Sequence, residues 1–188
     1  MDRDERGRAS SMAGYRSGWV DECRPIDTSS AFAFQRNRSA RSRFGVALPE
    51  TDHELRAVLE RCRTIAVVGI KDLESEDAYR VPQYLQLHGF RIVPVNPKLD
   101  RVLGQPAFAT LRDVAEPVDL VNLFRASDHI PAHVDEILSM SARPSAVWMQ
   151  LGIQNGAAAA RLREAGIEVV QDRCIMVEHR RLLGAAAR

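Results

Sequence analysis

Apolar runs alternate with amphipathic stretches from about residue 50 onward. Thr64-Ile65-Ala66-Val67-Val68-Gly69-Ile70 is an unbroken, β-branched run carrying a glycine, the pattern of a buried parallel strand. Similar runs at 91–97, 118–124, 146–151 and 167–170 predict four more strands. Between them fall helical patterns. Thr51 or Asp52 caps the first, with Glu54 three or two residues on and an apolar face of Leu55, Val58 and Leu59. The second spans about 78–88, stops at Gly89 and places Pro82 in its first turn. The third is capped by Ser127 or Asp128 and continues to Met140; the fourth follows Asn155 and closes at Gly166. A short terminal helix ends the pattern by Leu183. Pro94 inside the second strand points to an edge or a bulge, because proline cannot donate to a central ladder.

Strands alternating with helices through short connections imply an α/β class: a Rossmann-like, doubly wound, mainly parallel five-stranded sheet with helices on both faces. Analogy with the usual half-fold suggests the order 3-2-1-4-5. Residues 1–48 show no sustained periodicity and are expected to form a flexible tail, able to dock Trp19, Phe32 or Phe34; the domain is expected to occupy 49–188.

Bulk properties narrow the field. The chain has 188 residues, 45% of them apolar, and a net charge of +1, which gives no general attraction to nucleic acid or to membranes. No run is long enough to span a bilayer. Cys23, Cys62 and Cys174 are odd in number and widely spaced, which fits a reducing, cytoplasmic setting rather than a disulfide scaffold. A start like that of a secretory signal is absent, and the acids of the first residues disfavour a transit peptide.

In this fold the ligand groove is lined by residues just past each strand. These are Gly69-Ile70-Lys71-Asp72, Asn96-Pro97-Lys98, Phe124-Arg125-Ala126 and Gln150-Leu151-Gly152, with Tyr79 and Arg80 at the start of the second helix. The set lacks the G-x-G-x-x-G loop and the acid after the second strand that hold a dinucleotide, and it contains no phosphate-binding G-x-x-x-x-G-K-[ST]. It still suits phosphate. A helix N-terminus is available, and Lys71, Arg80, Lys98 and Arg125 supply positive charge. Asn96 and Gln150 have the paired donors and acceptors to read an adenine or a pantetheine amide. Each residue also has a structural reading: Lys71 and Lys98 as solvated loop residues, Arg125 paired with Asp128 or Asp119, Asn96 capping its own turn.

Catalytic patterns are sparse. No G-x-S-x-G or H-E-x-x-H occurs. The tail from Asp172 to His179 gathers Cys174, Glu178 and His179, which could make a metal site or an activated thiol. The structural alternative packs Cys174 as a small apolar group and uses Glu178 and His179 to fix the last helix.

Taken together, 64–69, Tyr79-Arg80-Val81, 89–97, 118–121, Trp148-Met149-Gln150-Leu151-Gly152 and 172–179 resemble the small single-domain CoA-binding proteins. Those are similar in turn to the CoA-binding N-terminal domain of the succinyl-CoA synthetase alpha subunit. The resemblance covers about Asp52 to Leu183 and implies a Rossmann-like fold that binds coenzyme A or an acyl-CoA, with no established catalytic activity. It implies cofactor contacts from Gly69 to Asp72, at Asn96-Pro97-Lys98 and at Phe124-Arg125-Ala126. Lys71 stands where relatives often carry a small hydroxyl residue, so charge would replace a hydroxyl contact. The expected function is therefore non-catalytic CoA binding, as a sensor, carrier or regulatory module with an unidentified protein partner. The alternatives are a small CoA- or nucleotide-dependent enzyme using Cys174 or His179, and a nicotinamide-dinucleotide binder.

Overall fold

The computed structural model describes residues 51–184. The tail expected over 1–48, with Cys23, lies outside them. Helix α1 (Asp52–Arg61) starts as its sequence demands: Thr51 caps the backbone N–H of Glu54, and the Glu54 carboxylate returns to the N–H of Thr51. The chain then forms β1 (Thr64–Val68), α2 (Asp77–Leu87), β2 (Arg91–Val95), the short β3 (Arg101–Val102) and β4 (Gln105–Pro106), and β5 (Leu120–Leu123). It continues through α3 (Ile130–Leu138), β6 (Ala146–Met149), α4 (Gly156–Glu164), β7 (Glu168–Val170) and α5 (Ile175–Leu183).

The main sheet is parallel and five-stranded, in the order β2-β1-β5-β6-β7. Numbered by their order in this sheet, the strands run 2-1-3-4-5, which corrects the expected 3-2-1-4-5. The third strand pairs with β1 on its free side instead of extending beyond β2. Pro94 gives the reason. Its carbonyl faces outward and accepts from Phe108 N at 2.9 Å, so its missing N–H falls on the outer edge of the sheet, which among the described residues meets only the single bridge between Val95 and Phe108. In the 3-2-1-4-5 order β2 would be an interior strand, where that gap would break a ladder.

Alternation along the strands sorts the core into two layers. Ile65, Val67, Leu120, Ala146 and Trp148 face α1, α2 and α5, whose Leu55, Val58, Val81, Leu85 and Ile175 cover them. Ala66, Val68, Val121, Leu123, Val147 and Met149 face α3 and α4, through Val134, Ile137, Ala159 and Leu162. The direction of winding reverses between β1 and β5, and in open α/β sheets a crevice opens at that point.

Two local expectations are corrected. Pro82 is the sixth residue of α2, not part of its first turn. The third helix has no side-chain cap from Ser127 or Asp128; those residues form a short 3-10 turn over Ser127–His129, followed directly by α3. The β3–β4 hairpin was not expected. It turns on Leu103 (φ 52°) and Gly104 (φ 75°), two successive left-handed residues of the kind favoured in tight hairpins. Leucine hides that signal. It is held there by packing on the core and by Gln86, whose amide donates to Leu103 O at 3.1 Å.

On the outer face of α2, His179 of α5 meets Tyr84, His88 and Phe90 edge-on. Tyr84 Oη lies 3.0 Å from His179 Nδ1, and in the neutral tautomer that carries its proton on Nε2 the hydroxyl donates. Burial, with His88 nearby, holds His179 below its ordinary range, and burial does the same to His133 on α3. A folded-state pKa below the unfolded value of about 6.5 means that the unfolded chain binds the proton better. The contribution of these two histidines to stability should therefore be level above about pH 6.5 and fall as pH drops through it. Urea midpoints at pH 7.5 and 5.5 check this. His179→Asn, which keeps an acceptor for Tyr84, should flatten part of the fall.

Candidate functional site

The crevice is built first by backbone. Gly69 has φ +81° and donates to Val95 O at 2.9 Å, while Phe124 N donates to Val68 O at 2.9 Å. A Cβ on Gly69 would lie 2.5 Å from Phe124 O and 2.8 Å from Arg125 Cδ. Glycine is thus required by the backbone conformation and by the neighbouring strand end, and the aliphatic stem of Arg125 lies over it.

Asn96 is buried and committed twice. Its Nδ2 donates to Ile70 O at 2.7 Å, and its Oδ1 accepts from Lys98 N at 2.9 Å. It locks the turn after β2 to the loop after β1, so it positions the crevice. Ile70 is fully buried; Lys71, Asp72, Pro97 and Lys98 are exposed. Proline at 82 has a consequence here. Without its N–H the Ala78 carbonyl has no helical partner, and it accepts from Lys71 N at 3.2 Å, tying the loop back to the start of α2.

The four cations separate into two kinds. Lys71 Nζ is 3.8 Å from Glu76, and Arg80 pairs with Asp77, so acids of their own loop partly neutralise them. Arg125 and Lys98 have no ion-pair partner among the described residues. Asp119 does not meet Arg125: it precedes β5, at the opposite end of the strand, where its Oδ2 accepts from Arg63 N and Thr64 N at 2.8 Å each. Tyr79 is half-buried against the α2 side of the core, as is Phe124, and Ala126 is exposed.

One strand further, Gln150 is buried and donates from Nε2 to Asn122 Oδ1 at 2.8 Å. Asn122 has no solvent exposure, and its Nδ2 has no hydrogen-bond partner among the described residues. Sequence reasoning missed Asn122, although an asparagine inside the apolar run 118–124 was a usable signal, since a buried amide needs a partner. Truncating it to alanine would leave the Gln150 N–H buried without an acceptor. Asn122→Ala should cost roughly 1–3 kcal/mol in urea unfolding.

The loops after β5, β6 and β7 are pinned to one another. Gly152 N donates to Asp172 Oδ1 at 2.7 Å, and Asp172, at φ 54°, donates its own N–H to Ile153 O. Asn155 caps α4 through Ala158 N and reaches Ser127 O at 3.1 Å. Ser127 Oγ accepts from Gln154 N, the task it performs instead of capping α3.

The reactive residues of the tail divide: Cys174 and Glu178 line one pocket, and His179 packs elsewhere. Glu178, 8% exposed, bridges Arg173 and Arg181, and Arg181 reaches Asp52 on α1. The paired guanidinium holds the Asp52 carboxyl below its usual range. His179 packs on α2, whereas Cys174, five residues earlier at the start of α5, lines a pocket at the ends of β6 and β7. Five residues is about 140° around a helix, so the two point different ways. No cluster of three His, Cys, Asp or Glu side chains able to hold a metal occurs among the described residues, and no described helix is long and apolar enough to cross a membrane.

Comparison with known proteins places this geometry. An uncharacterised protein of Bacillus subtilis (strain 168), YneT, is 37% identical over 126 residues, 67% of this chain and 92% of that protein. A solved structure from Thermus thermophilus superposes with a TM-score of 0.68 at 44% identity, covering 71% of this chain and 99% of that one. An ADP-forming acetate–CoA ligase of Methanocaldococcus jannaschii is 25% identical over 85 residues, 45% of this chain and 12% of the ligase. Residues 63–180 match the family described as CoA binding domain, and the chain belongs to that family.

Proposed function

We propose that this protein binds coenzyme A or an acyl-CoA across the C-terminal ends of β1, β2, β5 and β6, and performs no chemistry on it. The observation that carries this reading is Arg125: exposed, without an ion-pair partner among the described residues, and laid over Gly69 at the reversal of winding in a chain of this family. An unpaired guanidinium at a strand end is suited to a phosphate. Lys98 from the β2 turn adds charge around it, and Lys71 from the β1 loop adds the part that Glu76 leaves unscreened. Gln150, held by Asn122, lies beneath the middle of the ligand and Ile70 packs under the β1 loop, with Tyr79, Phe124 and the loop residues Asp72, Pro97, Ala126 and Gly152 forming the walls. The absent glycines of a dinucleotide loop speak against NAD. Against catalysis stands the separation of Cys174 from His179. A reducing, cytoplasmic setting fits the sparse, unpaired cysteines.

Calorimetric titration of ligand-stripped protein with CoA, acetyl-CoA and NAD tests the reading. Heat with both CoA species and none with NAD is expected; no heat with any CoA species rejects it. Arg125→Ala should weaken CoA binding by about 1.5–3 kcal/mol, or roughly 10- to 150-fold, with little change in unfolding midpoint. Unchanged affinity would remove Arg125 from phosphate recognition.

A further inference from the structure

The strand ends carry three chemistries in spatial order. Arg125 sits at the β1–β5 junction. Beside it, between β5 and the end of β6, is the buried amide pair Asn122 and Gln150, in which Asn122 Nδ2 has no hydrogen-bond partner among the described residues. Beyond it, at the ends of β6 and β7, lies an open pocket of about 380 Å³ with Leu151, Cys174 and Val177 on one part of its lining and Gln171, Asp172, Arg173 and Glu178 on the rest. Leu151 and Val177 are 70% and 51% exposed, large apolar surfaces left in water at the mouth of a pocket. Adjacent strands are about 4.8 Å apart, so one extended ligand laid across the strand ends spans from Arg125, over the buried amides, to the pocket. Coenzyme A has the same order: phosphates, then two amides, then the thiol or thioester.

We propose that this pocket receives the thiol or thioester end of the coenzyme, with the acyl chain against Leu151 and Val177 and the sulfur beside Cys174. The inference rests on CoA binding as proposed above, and adds selectivity for aliphatic acyl groups. The wall favours uncharged chains. Glu178 is neutralised by Arg173 and Arg181, and Arg173 is itself engaged with Glu178, which leaves no unpaired cation for an acyl carboxylate. Each methylene that leaves water against the two side chains should add up to about fourfold in affinity.

Two measurements on the full, ligand-stripped chain test this. In calorimetry, butyryl-CoA should bind at least fivefold tighter than acetyl-CoA, succinyl-CoA should gain nothing over acetyl-CoA, and Leu151→Ser with Val177→Ser should bring the butyryl-to-acetyl ratio near one. In maleimide labelling read by peptide mass spectrometry, acetyl-CoA, which has no free thiol to consume the reagent, should slow modification of Cys174 at least tenfold. Adenosine 3′,5′-bisphosphate, which lacks the pantetheine arm, should leave that rate unchanged. Buried Cys62 reports any unfolding. CoA binding with acyl-independent affinity and an unprotected Cys174 overturns the pocket assignment alone. Absence of binding by every CoA species overturns both this assignment and the reading beneath it.

Discussion

Gly69→Ala is expected to destabilise the protein by about 2–5 kcal/mol and to impair ligand binding as well. The first part has two sources. A left-handed backbone costs a residue with a Cβ roughly 1–2 kcal/mol, and forcing an atom into a filled space costs about 1–3 kcal/mol more. The space is filled by backbone: the new Cβ would stand 2.5 Å from Phe124 O, and no side-chain rotation relieves that contact. Relief requires the end of β5 to move away from β1, against the hydrogen bond from Phe124 N to Val68 O. At about 2–4 °C per kcal/mol the melting temperature should drop by roughly 5–20 °C. The same displacement moves Arg125, whose Cδ would lie 2.8 Å from the new atom. If the variant melts within a degree or two of the parent, the close approach of β1 and β5 is not what fixes glycine here. The glycine's tightest neighbour is thus the protein's own strand end, a narrower reason than clearance for a passing ligand.

Much of this architecture was legible in the chain. The five strands and the two-sided cover followed from apolar runs and helical periodicity, and α1 from Thr51 and Glu54. The strand order was legible too, but analogy overrode the residue that held it. Pro94 marks β2 as an edge, and an edge β2 is incompatible with 3-2-1-4-5. At the site, strand ends were locatable because parallel sheets always expose them at one end. What each polar side chain does there was not, since that depends on partners distant in sequence. Asn96 reaches Ile70, Gln150 reaches Asn122, and the Gly152 N–H reaches Asp172, across separations of 20 to 28 residues. Periodicity cannot report such pairs. Nor could spacing show that Lys71 and Arg80 are screened by their own loop while Arg125 stands unpaired.

Trp148→Ala should have the other large effect, about 3–5 kcal/mol, and a paired substitution separates its two causes. Trp148 is wholly buried against the α1, α2 and α5 layer, so alanine leaves a cavity the packed helices cannot close. Its indole Nε1 also donates to Arg173 O at 2.6 Å, holding the segment that leads into α5. Trp148→Phe retains most of the apolar volume and removes the donor, leaving a carbonyl unsatisfied for roughly 1–3 kcal/mol. The two variants should therefore differ in kind. Alanine lowers the urea midpoint and exposes Cys62 to maleimide along with Cys174. Phenylalanine lowers the midpoint less, leaves Cys62 protected, and speeds labelling of Cys174, because the loop beside it loses its anchor to β6. Should Cys174 label at the parental rate in Trp148→Phe, the indole N–H does not hold that loop. The clamp from Gly152 N to Asp172 would then be the contact that shapes the pocket, and Asp172→Ala the variant that opens it.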